Sequence, residues 1–345
     1  MKVLIVNNMA PFVWGGAEEL AANLERNLIL AGHQAEILRV PFQWEPAEAI
    51  PTQMLMMRAF ELWNVDRVIA LKFPAYLIRH PHKTLWLVHQ YRQAYDLFDA
   101  GQTNLPPGEQ GEALRSMIRE ADQQAFAEMR SIYTISDVTK ARLARYNGRE
   151  ANVLVPPVND PERFIGGESQ GYVLAAGRVN AMKRQHLLVE AMRYTSPKTK
   201  LLVAGPPDSA ADADALQRLV DQHDLGDRVK LDLRFLSRDE YAAYVNGAQA
   251  VAYVPYDEDA LAYVTMEASQ AGKALISACD SGGVLGLARH GETGWVAMPH
   301  PEALAGVLDQ AFADSRRTQA YGDGARERLH AMDINWPSTV GMLLQ

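Results

Sequence analysis

The sequence PYDEDALAYVTMEASQAGKALISACDSGG, residues 255–283, decides the fold of this chain. It begins at the end of the apolar run AVAYVPY, passes through an acidic loop into a helical pattern, and continues into the apolar run KALIS. Two apolar runs of strand length on either side of a helix are typical of a βαβ unit. The segment therefore predicts a parallel sheet.

The same segment carries a pair of carboxylates around the start of its helix. Asp259 and Glu267 stand eight positions apart, with the opening of the helix between them. Backbone N–H groups and the dipole at a helix N-terminus favour phosphate, and carboxylates accept hydrogen bonds from sugar hydroxyls. The segment therefore predicts a crevice suited to a sugar joined to a nucleotide diphosphate. Glu258 is a second candidate for the first carboxylate, if the loop bulges by one residue.

The rest of the chain repeats the alternation of strand and helix. In its first half the strand-like runs are KVLIV, AEILRV, RVIAL, TLWLVH, SIYTIS and NVLVPP; in its second half they are YVLAAGR, KLLVAG, VKLDLRF, AVAYVPY, ALISA and GWVA. Amphipathic helical patterns separate them, which predicts two Rossmann-like, doubly wound α/β domains. The polar, Pro- and Gly-rich stretch 158–171 marks the boundary, so we predict domains at 1–160 and 170–330.

Composition excludes several classes of protein. The chain has 345 residues, 48% hydrophobic and 22% charged, which predicts a globular protein. Its net charge is −8, and it has no block of Lys and Arg, so nucleic acid is not an expected partner. The single Cys279 excludes an intrachain disulfide and favours a reducing compartment. No signal peptide or apolar spanning segment is evident. We expect a cytoplasmic protein, with peripheral contact at the inner face of the membrane as an option.

Several segments resemble landmarks of the retaining family 4 glycosyltransferases with the GT-B fold. The family's signature is an acidic residue, seven intervening residues and Glu, followed by a small-residue-rich helix and a strand. Further similar segments follow the family's order: HisGln after the fourth strand, ISDVTKARL, VPPVNDPERF, GRVNAMKRQHLLVEAM and DSGGVLGLARHGETGWV. The resemblance implies two Rossmann-like domains with a cleft between them. It also implies that a C-terminal helix, 335–345, packs back on the first domain through Trp336.

The resemblance implies a reaction as well. A sugar would move from a nucleotide-diphosphate donor to a hydroxyl acceptor, which is a glycan, a lipid-linked molecule or a small molecule, with retention at the anomeric carbon. No metal or other cofactor is implied. The family's usual Glu and turn glycine are replaced here by Asp259 and by Ala260, Leu261 and Ala262. We expect this replacement to disfavour positive φ and to select a different turn. The amides of these three residues are predicted to hold the donor.

The resemblance assigns the donor site residue by residue. Gly177 ends a strand and is followed by two cations, Arg178 and Lys183, which match the family's pyrophosphate site. Such cations would neutralise a diphosphate. Arg184, where the family often has glycine, would add a third cation or face water. Glu267 would accept the ribose hydroxyls. The predicted base-binding region is Gly205, Arg234, Phe235 and Leu236.

Residues of the first domain complete the predicted site. Gly15 and Gly16 follow the first strand and would let the backbone approach the donor. His89 ends the fourth strand, where the family has a histidine beside the donor sugar. The predicted catalytic set is His89, Asp259, Arg178 and Lys183. The predicted acceptor contacts are Tyr91, Arg92 and Tyr95.

The sequence leaves two other functions open. One is a sugar-nucleotide epimerase or phosphorylase of the same architecture, and the other is a catalytically silent homologue that binds nucleotide sugars. The altered turn after Asp259 is the feature that keeps the second of these open. No GxGxxG fingerprint is present, so a nicotinamide cofactor is not indicated. The Met-rich segment 53–63 is interpreted as core packing, with a surface for a lipid-linked acceptor as the alternative.

Overall fold

The computed structural model describes all 345 residues, and they divide into two compact units. Unit 1 comprises Met1–Pro157 and Asn335–Gln345, and unit 2 comprises Val158–Ile334. The stretch 158–171 lies entirely in unit 2. Within it Phe164 is 1% exposed and packs edge-to-face on Tyr241, with ring centroids 6.1 Å apart. The Gly166 N–H also donates to the side chain of Asn246 at 3.0 Å. These contacts hold this polar stretch to the second unit.

Unit 1 is built on a six-stranded parallel sheet in the order β2-β1-β3-β4-β5-β6. Its strands are β1 (Lys2–Met9), β2 (Gln34–Pro41), β3 (Arg67–Ala70), β4 (Lys83–Leu87), β5 (Ser131–Thr134) and β6 (Asn152–Val153). Its helices are α1 (Gly16–Leu30), α2 (Ile50–Ala59), α3 (Asp96–Asp99), α4 (Glu109–Ala127), α5 (Asp137–Asn147) and, from the end of the chain, α12 (Trp336–Leu343).

Unit 2 contains a second parallel sheet in the order β12-β11-β10-β7-β8-β9. Its strands are β7 (Val173–Ala176), β8 (Leu201–Ala204), β9 (Val229–Asp232), β10 (Ala250–Ala252), β11 (Ala274–Ala278) and β12 (Gly294–Ala297). Its helices are α6 (Gln185–Ala191), α7 (Ala210–Gln222), α8 (Arg238–Gly247), α9 (Tyr263–Gln270), α10 (Pro301–Ala313) and α11 (Ser315–Ala331).

The prediction of two doubly wound α/β domains is confirmed, and all twelve predicted strands are present. Every residue of β7, β8, β10 and β11 is buried. A strand covered by helices on both faces needs apolar residues at every position, which explains why these strands read as continuous apolar runs. In unit 2 the strand order is that of the Rossmann fold, and it reverses between β7 and β10. Ligands of such sheets bind at the carboxyl ends of the strands beside this reversal.

Helix α12 packs within unit 1, where it contacts α1. Trp336, at its first position, is 8% exposed and lies edge-to-face against Trp86, with ring centroids 6.2 Å apart. The Tyr133 hydroxyl donates to the carbonyl oxygen of Met342 at 3.1 Å. The apolar pattern at the end of the sequence therefore forms part of the first unit's core.

The Met-rich segment is only partly helical, because α2 ends at Ala59 and Phe60 is already extended. Met54 and Met57 are buried in the core of unit 1, whereas Leu55 and Met56 are more than half exposed. The segment thus contributes core packing on one face. None of the twelve α-helices combines the length and the apolarity that a membrane crossing would require.

A network of buried polar side chains crosses the core of unit 1. The carboxylate of Asp122, which is 0% exposed, accepts hydrogen bonds from the hydroxyls of Tyr76 at 2.9 Å and Tyr95 at 2.7 Å. Asn147 donates to the Tyr95 hydroxyl and accepts from the Gln90 side chain at 2.7 Å. Burial raises the pKa of Asp122 to about 7, and the two tyrosine hydrogen bonds offset only part of that effect.

We expect Asp122 to make the stability of the protein depend on pH. In the unfolded chain an aspartate titrates near pH ~4. Between pH ~4 and 7 the unfolded state releases this proton while the folded state retains it, so the free energy of unfolding falls as pH rises. Asp122→Asn removes this contribution. In urea unfolding from pH 4 to 7, the wild type should lose stability relative to Asp122→Asn.

The exposed carboxylate of Glu120, on the same helix, provides the matched control. Glu120→Gln should follow the wild-type pH profile. A constant difference in unfolding free energy between the wild type and Asp122→Asn over this range would contradict the assignment.

Candidate active site

The carboxyl edge of the unit 2 sheet brings two loops together, one after β7 and one after β10. At the start of the first loop the backbones of Gly177 and Gly205 press against each other, and the Gly177 N–H donates to the carbonyl of Ala204 at 3.0 Å. A Cβ built on Gly205 would lie 2.3 Å from the carbonyl oxygen of Gly177, and Gly205 has φ +134°. Any side chain there would force the strand ends apart. The residues that follow Gly177 therefore begin at the carboxyl end of β7, beside the position where the strand order reverses.

The two predicted diphosphate cations both follow β7, and each is paired with a carboxylate. Arg178 donates to Asp208, which follows β8, at 2.9 Å. Lys183 forms an ion pair with Glu258, which follows β10. Their side chains are 38% and 22% exposed. The predicted donor cations are therefore close to the surface, and each is neutralised by one acidic residue.

The environment of Lys183 favours its charged form. Its ammonium group lies 5.4 Å from the centre of the Tyr253 ring, and the Tyr253 hydroxyl donates to Glu258 at 3.1 Å. Burial lowers the pKa of Lys183, but the neighbouring Tyr253 and Glu258 outweigh this effect, and the pKa is raised above its ordinary value. Lys183 is therefore a cation at every physiological pH, as a diphosphate site requires.

The acidic loop itself is held by backbone contacts to the segment after β11. The Gly283 N–H donates to the Glu258 carbonyl at 2.7 Å, and Glu258 forms a β-bridge with Gly282. A Cβ on Gly282, which has φ +62°, would lie 2.5 Å from that carbonyl. Asp259 follows and is 8% exposed. The geometry thus points the side chain of Glu258 at Lys183, whereas that of Asp259 lies below the surface.

The expectation that the altered turn avoids positive φ is wrong. Ala262 immediately precedes α9 and has φ +61° and ψ 135°. This region of backbone space is populated almost only by glycine, and a side chain there costs of order 1–3 kcal/mol. Alanine therefore adopts positive φ in this turn, and its carbonyl accepts hydrogen bonds from the N–H groups of Thr265 and Met266 at 3.2 and 3.1 Å, which help to hold it in place.

Restoring glycine at this position should stabilise the protein. Ala262→Gly relieves the strained φ of the folded state. Glycine also raises the conformational entropy of the unfolded chain, which offsets part of this stabilisation. We therefore expect the free energy of unfolding to rise by about 1 kcal/mol. Chemical denaturation measures the change. Ala260→Gly is the control, because Ala260 lies in the same loop without positive φ, and its replacement should destabilise the protein by roughly 0.5–1 kcal/mol. Equal or lower stability of Ala262→Gly would contradict the assignment of strain.

Glu267, the predicted ribose ligand, lies on α9 with its side chain 3% exposed. Its carboxylate is 2.6 Å from the guanidinium of Arg238, the first residue of α8. Arg238 also donates to the carbonyl of Asn159 at 2.7 Å, and its guanidinium lies 4.7 Å from the Phe164 ring. Arg238 compensates the buried charge of Glu267. Sequence reasoning missed Arg238, since an arginine after an N-cap serine resembles an ordinary solvated residue.

The predicted base-binding residues lie between β9 and α8. Arg234 is held by two carboxylates, Asp232 at 2.9 Å and Glu240 at 2.8 Å. Phe235 is 69% exposed, while Leu236 is half-buried. An exposed aromatic ring beside a fixed arginine offers a flat surface for stacking. This is consistent with a base-binding role, which stays a prediction.

In unit 1 the predicted glycines do not use positive φ. Gly15 caps α1 in an extended conformation, with φ −145°, and its N–H donates to the carboxylate of Glu18 at 3.0 Å. A Cβ on Gly16 would meet no atom within 4 Å. Positive φ in this loop belongs instead to Phe12, at +63°. Neither glycine therefore has positive φ, and their contact with the donor stays a prediction.

The remaining predicted residues of unit 1 follow β4. His89 is half-buried, and its Nδ1 lies 2.7 Å from the carbonyl oxygen of Gln90. Arg92 pairs with Asp96 at 2.6 Å. The predicted acceptor contacts Tyr91 and Tyr95 are only 8% and 0% exposed.

Tyr95 donates to the buried Asp122, and Tyr91 donates to Asn104 at 3.1 Å while packing on Phe42 and Phe73. Both tyrosines are core residues, so their prediction as acceptor contacts is corrected. The apolar residues of this segment recur at helical spacing, a pattern that is typical of core packing.

Comparison with known proteins finds a family match over the second unit. Residues 160–328 match the family of glycosyl transferases group 1. D-inositol 3-phosphate glycosyltransferase of Jonesia denitrificans is 26% identical over 243 residues, a match that covers 66% of this chain and 55% of that protein. The matched region thus spans about half the length of this relative.

Solved structures show the same fold. Sucrose-phosphate synthase from Thermosynechococcus elongatus superposes with a TM-score of 0.77 at 17% identity, covering 99% of this chain and 97% of that one. Anabaena HepE in complex with UDP and glucose superposes with a TM-score of 0.72 at 15% identity, covering 99% and 98%. The chain therefore has the GT-B fold, and the family match lies within its second unit.

Proposed function

We propose that the protein is a glycosyltransferase that moves a sugar from a nucleotide-diphosphate donor to a hydroxyl acceptor, with retention at the anomeric carbon. The observation that carries the proposal is the placement of Arg178 and Lys183 at the strand reversal of a group 1 glycosyltransferase domain. HepE, which shares the fold, is described in complex with UDP and glucose. A UDP-hexose is therefore the first donor to test, with a glycan, a lipid-linked molecule or a small molecule such as an inositol phosphate as acceptor.

The proposed donor site works by exchange of anions. In the empty site Asp208 and Glu258 neutralise Arg178 and Lys183. The donor diphosphate would replace one or both carboxylates as the partner of these cations. When the bond between the anomeric carbon and the diphosphate oxygen breaks, negative charge grows on that oxygen. Two fixed cations stabilise this charge, an effect worth about 3–4 kcal/mol for one well-placed donor.

The other groups have positioning roles in this proposal. Glu267, which pairs with Arg238, would accept the ribose hydroxyls. His89 and Asp259 would orient the sugar. The acceptor oxygen forms the new bond to the anomeric carbon, and its proton passes to the leaving diphosphate, which becomes the base. We propose that no divalent metal takes part, because protein cations supply the charge.

The first test is donor binding and nucleotide release. Arg178→Ala and Lys183→Ala each remove a charge-assisted hydrogen bond to the diphosphate, worth roughly 1.5–3 kcal/mol, so donor affinity should fall about tenfold or more. Calorimetry with UDP-, GDP- and ADP-sugars measures the affinity, and release of free nucleotide with added acceptor measures turnover. A chelator should leave turnover unchanged.

Lys198→Ala is the control, because it removes an exposed cation elsewhere in unit 2. Unchanged donor affinity in both site variants would refute the diphosphate assignment. Tight donor binding without any nucleotide release would instead favour a silent binding protein, as the strained Ala262 turn allows.

A second test separates the two neighbouring carboxylates. Glu258 competes with the donor for Lys183, so Glu258→Gln should tighten nucleoside-diphosphate binding, by roughly fivefold for about 1 kcal/mol. Asp259 is proposed to hold the sugar, so Asp259→Asn should lower turnover at least about tenfold with little change in the affinity for the free diphosphate.

The outcome fixes the register of the acidic pair. A larger loss of turnover in Glu258→Gln would show that Glu258 contacts the sugar. Full activity of both variants would show that neither carboxylate takes part in transfer.

A further inference from the structure

Arg184, the residue after Lys183, makes an unusual set of contacts. Its backbone is left-handed, with φ +55° and ψ 32°. Its side chain is 12% exposed. The guanidinium donates two hydrogen bonds to the carboxylate of Asp280, at 2.8 and 2.6 Å. It donates two more to the carbonyls of Val254 and Pro255, each at 2.8 Å.

These four bonds exclude both roles expected from the sequence. A guanidinium has five N–H donors, and Arg184 uses four of them on groups of its own chain. It is therefore neither a third cation for the diphosphate nor a solvated side chain. Because its pairing with Asp280 is bidentate, its orientation is fixed as well as its position.

The contacts of Arg184 join three segments that together build the donor site. Arg184 itself follows Lys183, Val254 and Pro255 lead from β10 into the acidic loop, and Asp280 lies just before Gly282 and Gly283. Backbone bonds run along the same junction: Tyr256 N–H to Met182 at 2.8 Å, Asp257 N–H to Asp280 at 2.9 Å and Gly283 N–H to Glu258 at 2.7 Å. Arg184 therefore ties the lysine turn to the acidic loop, together with the Lys183–Glu258 ion pair.

The strained backbone supports a specific role for this side chain. A left-handed conformation is unfavourable for a residue with a Cβ, and glycine would adopt it freely. The fold keeps arginine at this position although glycine would fit the backbone better. The side chain's bonds must therefore offset the strain, and they do so at the junction where Lys183 meets Glu258.

We propose that Arg184 is a positioning residue for sugar transfer. By holding Val254, Pro255 and Asp280 together it fixes the acidic loop, residues 257–262, relative to Lys183, so that the sugar and the diphosphate are bound in register. This inference rests on the proposed function. It assigns to Arg184 an effect on turnover and loop order, and none on the intrinsic affinity for a nucleoside diphosphate, which Arg178 and Lys183 bind.

The test compares Arg184→Ala, Arg184→Gly and Arg184→Lys with the wild type. We expect the Ala and Gly variants to bind the tightest of UDP, GDP and ADP no more than about twofold more weakly than the wild type, or more tightly where the loosened loop frees Lys183 from Glu258, while kcat falls about tenfold or more. Arg184→Lys keeps the charge without the bidentate fork and should recover only part of kcat. Asp280→Asn should reproduce the effect, and Arg184→Ala combined with Asp280→Asn should cost no more than either variant alone.

Three results would overturn the proposal. A fall in nucleoside-diphosphate affinity like that of Lys183→Ala would make Arg184 a direct phosphate ligand. Wild-type kcat with a lowered melting temperature would make it purely structural. Recovery of kcat in Arg184→Gly, but not in Arg184→Ala, would show that the backbone conformation matters and the side chain does not.

Hydrogen exchange provides a readout that does not depend on transfer activity. In Arg184→Ala the amides of residues 257–262 should exchange at least about tenfold faster, while those of β8 keep the wild-type rate. If the wild type proves to transfer no sugar, this result still decides whether Arg184 orders the loop, and unchanged exchange there would refute the proposal.

Arg228→Ala is the matched control. Arg228 also bonds backbone carbonyls, those of Met192 at 2.8 Å and Ser196 at 3.2 Å, but it precedes β9 and so lies at the opposite edge of the same sheet. Its removal should lower stability while leaving kcat and the exchange of 257–262 unchanged.

Discussion

The adjacency of β7 and β10 in the second sheet is the constraint on which the candidate site depends. Parallel strands send their carboxyl ends to the same edge, and the strand order reverses between these two. The loops that leave them meet at this edge, where Lys183 pairs with Glu258, which is 75 positions away in sequence. Because Gly177 and Gly205 have no side chains, the ends of β7 and β8 pack closely beside this site.

Charge neutrality is the second organising feature of this edge. Four arginines and lysines there each pair with a carboxylate: Arg178 with Asp208, Lys183 with Glu258, Arg184 with Asp280 and Arg238 with Glu267. A partly buried site would be destabilised by four unpaired cations, because each charge loses hydration. The pairs differ in exposure: the side chain of Glu267 is 3% exposed, whereas those of Arg178 and Lys183 are 38% and 22% exposed. We propose that these two cations exchange their carboxylate partners for the incoming diphosphate.

Positions beside the site adopt the positive φ that glycine favours, although they are not glycine. Ala262 and Arg184 both have positive φ, and both adjoin the Lys183–Glu258 pair in space or in sequence. At Arg184 four hydrogen bonds compensate the strain, whereas at Ala262 the restraint comes from the packed loop between β10 and α9. Strain that persists beside a binding site is typical of positions where geometry matters more than local stability.

The sequence by itself determined the fold class and the twelve strands, and it predicted which residues hold the donor. Apolar periodicity records which faces are buried, and βαβ alternation implies parallel strands whose carboxyl ends share an edge. Only the tertiary structure decided the partners: that Glu258 faces Lys183, that Arg238 and Arg184 hold Glu267 and Asp280, and that Tyr95 is in the core. These contacts join residues far apart in sequence, Arg184 and Asp280 by 96 positions. A local sequence pattern does not show which distant residues meet, because the order of the strands and the packing of the helices decide these contacts.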